Sequence, residues 1–518
     1  MMFLYGCQAP CHASVKSGPG LQNGFIAPAE NSKFGTKGVS NSTLLHEPLD
    51  IFSPRVGFAY DVLGNGKMAI RGGYGLYYQR MGCMSSLQSV SNPPFNLAAS
   101  DFYSPQIYGI PWQAQILTNP FPTLPLPSAF PIFPQMPTLQ SLNPLGGPNY
   151  DVNPLTGITE IDPRNGTPST EQWNLTIETE LIKNWALEIG YVGSHAIHQV
   201  MSQATNSALL RNANNPGPFG LDVNSPANAL SRVPIIGVEG LSDITTDGKS
   251  LYDALLVTVS HRFSKGLYMK AAYAWSKALD NYPSVNGFEP GLGEPGNQYI
   301  PDLNYGLSSY NTPYRFVASY VYDLPGPKHG VGSYFIGNWS LSGETTLQSG
   351  TSGYIGQPAY SSLTGSAGYG IVLPGCTLKS SGSVSDHVSN YLNASCVTTQ
   401  PLLAPGTTFG PLSPIAGPGD QMYTIDPASS GGNLMGSSTR GAFQNPFQTR
   451  WDMALKKTFP VHVLGERGDL QFIAQAFNLF NTPIFGPPGS TAGYPNFGMI
   501  GSTLTGGREL QFALRVNF

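Results

Sequence analysis

The sequence predicts an all-β fold, an antiparallel transmembrane β-barrel, and three observations predict it. Eleven segments alternate apolar and polar residues with period two, as strands do when the two faces of a sheet meet different surroundings. No apolar run approaches the roughly 18 residues that a membrane helix needs. Short and long links alternate strictly along the chain, matching the short turns and long loops on the two sides of a membrane barrel.

Composition agrees. Of 518 residues 11% are charged, against about 25% in an ordinary soluble domain. Gly and Pro number 61 and 46, which disfavours long helices. Aromatics reach 11%, too many for simple disorder. A net charge of −4 offers no basic footprint, so no nucleic-acid partner is expected.

The elements follow in order. RVGFAYDV (55–62) and KMAIRGGYGLYYQ (67–79) flank LGNG, a hairpin turn. QWNLTIETEL (172–181) carries Trp173, Leu175, Ile177 and Leu181 on one face, with Asn174, Thr176, Glu178 and Glu180 on the other. NWALEIGYVG (184–193) repeats the pattern with Trp185, Leu187, Ile189 and Tyr191. ALLVTVSHRF (254–263) and GLYMKAAYAWSK (266–277) form the next pair, joined by Ser264-Lys265. YRFVASYVYD (314–323) and NWSLSGETTLQS (338–349) follow, then TRWDMALKKTF (449–459), DLQFIAQAFNLF (469–480) and RELQFALRVNF (508–518). The phase slips near Phe477, where a bulge is expected. Short links at 63–66, 182–183, 264–265, 324–337 and 460–468 alternate with long links at 80–171, 194–253, 278–313, 350–448 and 481–507.

Several residues take roles from this layout. Trp173, Trp275 and Trp451 fall at the long-loop ends and Trp185 and Trp339 at the short-turn ends. That is the distribution of aromatic girdles at two membrane–water interfaces. Charge facing lipid at mid-membrane costs a few kcal/mol. Glu178, Glu180, Glu188, Arg262, Lys270, Arg315, Glu344, Lys456, Gln471, Gln475 and Arg515 are therefore expected to face the lumen. His261 and Lys457 share the apolar phase and are expected near an interface. The link 80–171 carries 14 prolines between Pro93 and Pro154, favouring extended polyproline structure.

Chemistry-bearing motifs are few. Cys376 and Cys396 share one long link. They form a disulfide in an oxidising compartment or remain incidental, and spacing does not choose. His195 and His198 lie just past a predicted strand end, without a carboxylate at metal-like spacing. No catalytic constellation, metal set or cofactor motif emerges, and the expectation is a protein that is not an enzyme.

The stretches FSPRVGFAYD, IRGGYGLYY, QWNLTIETEL, YDALLVTVSHRFSKGL, AYAWSKALD, NWSLSGETTLQSG, RWDMALKKTFP, AFNLFNTPIFG and QFALRVNF, taken in this order, resemble the C-terminal barrel of TonB-dependent receptors of the Oar-like type. The resemblance covers about 52–518 and implies a barrel of about 22 strands enclosing a plug. It implies energy-coupled uptake of a bulky nutrient across the outer membrane of a Gram-negative bacterium, with an unidentified small-molecule, oligosaccharide or peptide ligand. The implied partners are outer-membrane lipid, the barrel-assembly machinery and a TonB complex acting through a plug domain. Plug and TonB box are not found in this chain, so residues 1–51 are expected to be the start of a truncated chain and 52–518 part of a larger barrel. Phe512, Leu514, Val516 and Phe518 resemble the terminal signal read by the assembly machinery. A passive porin-like channel, or a structural outer-membrane protein, is the alternative, and a secreted soluble β-rich binding protein the third reading.

Overall fold

The computed structural model describes residues 2–3, 25–26, 51–79, 159–161, 165–204, 242–281, 304–327, 330–357, 368–373, 375–398, 438–461 and 468–517. The proline-rich part of link 80–171 and Phe518 lie outside them.

Among the described residues eleven strands form one meandering antiparallel sheet. They are β1 (Arg55–Asp61), β2 (Met68–Tyr78), β3 (Ser169–Ile182), β4 (Trp185–Ala204), β5 (Ser242–Ser264), β6 (Leu267–Asp280), β7 (Tyr314–Asp323), β8 (Trp339–Gln348), β9 (Gln448–Pro460), β10 (Asp469–Phe477) and β11 (Glu509–Asn517). Each pairs with its sequence neighbours, so spatial order is chain order. Gly306–Leu307 adds to β6, and Thr159–Ile161 pairs in parallel with β5. β1 and β11 are the free edges, and the sheet does not close. None of the described helices is long and apolar enough to cross a membrane.

Register explains the sequence pattern. Directly paired residues in a sheet point to the same face, and the pairing links whole rungs. Tyr60, Ile70, Ile177, Ile189, Val257, Tyr273, Phe316 and Leu347 form one rung across eight strands. One residue over, Asp61, Ala69, Glu178, Glu188, Thr258, Ala272, Val317, Thr346 and Arg450 form a rung on the opposite face. The apolar face is uncovered: Phe512 is 66% and Leu514 67% exposed. A packed core lies instead among the long links, where Ile355, Tyr391, Leu392, Phe443, Ala492 and Phe497 cluster.

The structure departs from the sequence reading at four places. At both described ends of link 194–253 the β4–β5 hairpin continues, so that β4 runs 20 residues and β5 runs 23, about twice the 9–11 that a span requires. Its outer half contains register shifts at Ala196/Gln199 and Gln199/Met201. Link 324–337 holds a short helix, Val331–Phe335. The expected bulge at Phe477 is absent: β10 ends there in regular register, and 478–480 turn away. Asn478 makes that turn, adopting φ 54° and bonding Thr482 through both its amide nitrogen and its amide oxygen. Finally, His195 and His198 lie inside β4, and His195 faces its cross-strand partner Glu171 at 3.8 Å.

Gly193 shows how closely the sheet packs at the aromatic positions. The Trp173 ring folds over it, and a Cβ there would fall 2.3 Å from the indole. Gly193→Val is expected to lower stability by about 1–3 kcal/mol, seen as a lower urea midpoint in lipid vesicles. An unchanged midpoint would mean that the indole is free to swing aside.

Candidate functional site

The polar face gathers most of the residues expected to act. Glu178 and Glu188 are direct partners. Glu180, Ala186, Ser260, Lys270, Ser319, Glu344 and Asp452 form one rung. Arg315 pairs with Ala274 and Gln348, and Arg515 pairs with Gln471. Gln475 pairs with Ala454 and Gln511, and Lys456 with Ser340 and Ile473. Arg262 sits in the irregular end of the β5–β6 hairpin, between His261 and Ser264. Glu178, Glu180 and Glu188 gather on β3–β4, whereas β9–β11 mix Arg450, Lys456 and Arg515 with Asp452, Asp469 and Glu509 on the same face.

Paired like charges repel, and Arg71 offsets them: its guanidinium donates to Glu178 at 2.8 Å. Arg450 similarly bonds Asp452 at 2.7 Å. Neither arginine stood among the expected lumen residues. Both were legible in principle, since each shares the polar phase of its strand.

A groove of about 690 Å³ opens on the polar face of β1–β5 toward the long links. One rung carries Arg55, Gly75, Gln172, Ser194 and Tyr252, and the next carries Gly57, Gly73, Asn174 and Val192. The hollow exists because three of these positions are glycine. Tyr77 closes over Gly75, and Arg55 stacks on the Tyr77 ring at 4.5 Å. The result is one guanidinium, several amide and hydroxyl groups and two phenols around an open floor, suited to a polar ligand with an anionic or planar part.

The five tryptophans expected in the girdles occupy the other face. Trp173 pairs with Tyr74 and Gly193, and Trp275 with Leu255 and Tyr314. Trp451 meets Phe480 edge-on at 5.7 Å. At the short-turn end Trp185 lies 4.5 Å from the His261 ring, and the Trp339 indole donates to the Phe335 carbonyl at 3.0 Å. His261 and Lys457 are both buried. His261 Nδ1 lies 2.9 Å from the Leu267 carbonyl. On β11, Phe512 stacks on Phe472, and Leu514 and Val516 share its exposed face.

Three long links lock together beyond the sheet. Cys376 and Cys396 form a disulfide with Cα atoms 5.5 Å apart. Buried Arg440 forms an ion pair with Asp280 and donates to the carbonyls of Asp280 and Asn304, at 2.9 and 3.3 Å. The Tyr391 hydroxyl donates to the Gln444 carbonyl at 2.6 Å. Burial pushes the Tyr391 phenol up from its ordinary value to about 12.

A folded phenol that ionises later than the unfolded one stabilises fully below pH of about 10. That contribution is lost as pH rises toward about 12. The loop module is therefore expected to open to protease across that window. Tyr391→Phe should remove the alkaline step and cost about 1 kcal/mol at neutral pH. An identical pH profile in the variant would place the step elsewhere.

A family model described as an outer membrane beta barrel domain matches residues 12–511. No curated protein matches the chain. Among solved structures, the outer membrane transporter YddB from Escherichia coli is 11% identical with a TM-score of 0.42, covering 90% of this chain and 40% of that one. The ferric preacinetobactin receptor BauA from Acinetobacter baumannii is 8% identical with a TM-score of 0.36, covering 90% and 36%. FpvA of P. aeruginosa bound to heterologous pyoverdines is 8% identical with a TM-score of 0.37, covering 89% and 32%. The chain thus spans between about a third and two fifths of these proteins' lengths.

Proposed function

The chain belongs to the outer membrane beta barrel domain family, and from that premise we propose that it is the barrel portion of a TonB-dependent receptor of the Oar-like type. Its place is the outer membrane of a Gram-negative bacterium. Residues 52–518 supply the barrel strands and their loops, with 1–51 leading into them. The polar face looks inward at a plug and a transport path, and the apolar face meets lipid. Ligand is captured at the long-loop end, taken up as a bulky nutrient and released inward when an inner-membrane TonB complex acts on the plug. Chemistry on the ligand has no part in this reading.

The observation that carries the proposal is the division of the sheet into two faces. Soluble sheets cover such an apolar face with a second layer. Here Phe512, Leu514 and Leu510 stand uncovered. The tryptophans fall toward both ends of the strands. On β5 the partner of Trp275 is Leu255, toward the long links, and that of Trp185 is His261, at the short turn, as aromatic residues at two membrane interfaces do.

The ordered sequence stretches support the receptor subtype. The groove around Arg55 and Tyr77 lies near the loop end, where a descending ligand would first meet the wall. The acidic cluster of Glu178, Glu180 and Glu188 on β3–β4 suits a ligand or plug with cationic groups there.

Spin labels at Leu175, Val257 and Leu514 are expected to be accessible to oxygen and shielded from a water-soluble relaxant in outer-membrane vesicles. Labels at Lys270 and Glu344 should show the reverse. Aqueous accessibility at the first three positions would refute the assignment of faces. Single-channel recording on the purified whole protein separates receptor from porin: a plugged barrel should be nearly silent, and a steady large conductance would remove the receptor reading.

A further inference from the structure

We infer that the link between β7 and β8 is a membrane foot, inserted among phospholipids of the leaflet at the short-turn side of the barrel. The inference rests on the outward direction of the apolar face proposed above. A two-strand hairpin needs only two to five residues to turn, yet this link spends 324–338 on the task. Part of it folds into the helix Val331–Phe335, whose N-cap Gly330 has φ 74°.

That helix does not hang in solvent below the sheet. It is fastened to the apolar face. Trp339, Lys457, Phe472 and Leu514 form one rung on that face. Two of them grip the link from below. The Trp339 indole donates to the Phe335 carbonyl. The Lys457 ammonium donates to the carbonyls of Ser333, at 2.6 Å, and Gly337, while lying over the Trp339 and Phe459 rings at 5.4 and 5.3 Å. Ser333 turns inward and bonds the Gly330 carbonyl at 2.7 Å. Lys457 is 2% exposed, so the link has taken the place of water around a charge that otherwise faces lipid.

What the link shows outward is apolar. Val331 is 76%, Phe335 72% and Ile336 69% exposed, and Tyr334 stands beside them. Four such residues in six positions do not suit an aqueous turn. They continue a rim: Leu63, Leu181, Ile182 and Phe263, at the other short-link ends, are also exposed. An aromatic–aliphatic surface with a tyrosine at its border is the composition that settles at the boundary of headgroups and acyl chains. Continuity with the lipid-facing band selects lipid as the occupant over a protein partner. Lys457 then serves as an internal clamp, its charge satisfied by the foot's own carbonyls.

The test is photocross-linking of the whole protein in its own outer membrane, with p-benzoylphenylalanine replacing Phe335 and, separately, Leu175 on the strand face. A phospholipid adduct is expected at Phe335, and an adduct with lipid of either leaflet at Leu175, which lies two residues from the loop-end Trp173. A lipid adduct at Leu175 with a protein adduct, or none, at Phe335 would overturn the foot alone. No lipid adduct at Leu175 would overturn the reading of the face beneath it. A lipopolysaccharide adduct at Phe335 would place the short links outside the cell and refute the proposal. If the Phe335 variant fails to assemble, the same probe at Ile336, which makes no clamp contact, gives the same readings.

Discussion

The constraint on which the rest depends is that hydrocarbon offers no hydrogen-bond partner to a peptide group. Every amide crossing the membrane must be satisfied by a neighbouring strand. The sheet meets this demand by pairing each strand with its sequence neighbour from β1 to β11 without a crossover. Once the backbone is committed to the ladder, side chains have only two directions. One must be apolar over the height of the bilayer, and the other is free to carry charge. The uncovered rung from Tyr60 to Leu347 and the charged rung from Asp61 to Arg450 are the two outcomes of that single commitment.

The same constraint decides what the sequence reveals. Strands were legible where lipid imposes an apolar phase: the β7 segment, 314–323, was read to the residue. Legibility stops where lipid stops. The outer halves of β4 and β5, with HAIHQVMSQA and SDITTDGKSLYD, are covered by other segments on both faces, with Met201, Asp243, Ile244 and Thr245 all buried, so period two fades although the ladder continues. The loop module is the opposite case. Its core of Ile355, Tyr391, Phe443 and Phe497 assembles from segments far apart in sequence, and no local period reports such a core.

Candidate residues follow the same division. The phase of Glu178, Lys270, Glu344 and Arg515 is a local property and could be assigned from alternation. The groove depends on three glycines from two strands meeting in register beside Arg55 and Tyr77, and the surroundings of Lys457 depend on the β7–β8 link folding back over the neighbouring β9. Both need tertiary geometry. Lys457 was visible only as an anomaly, a charge in the apolar phase, and the anomaly marked the place where the hairpin link covers the sheet.

Strands in a meander alternate direction, so β1 and β11, ten steps apart, run the same way. Joining them to each other would demand a parallel seam, whereas every pairing along the main path is antiparallel. Leaving them open in lipid would strand the outward amides of Arg55–Asp61 and Glu509–Asn517, each costing several kcal/mol. An antiparallel closure needs an odd number of further strands between the two edges, which also restores the even total usual in single-chain bacterial barrels. The apolar residues of β1, including Val56, Phe58 and Tyr60, are exposed along its length, as Leu510, Phe512 and Leu514 are on β11. Both edge strands thus present the lipid-facing pattern of interior staves, which is what additional strands would continue around the wall.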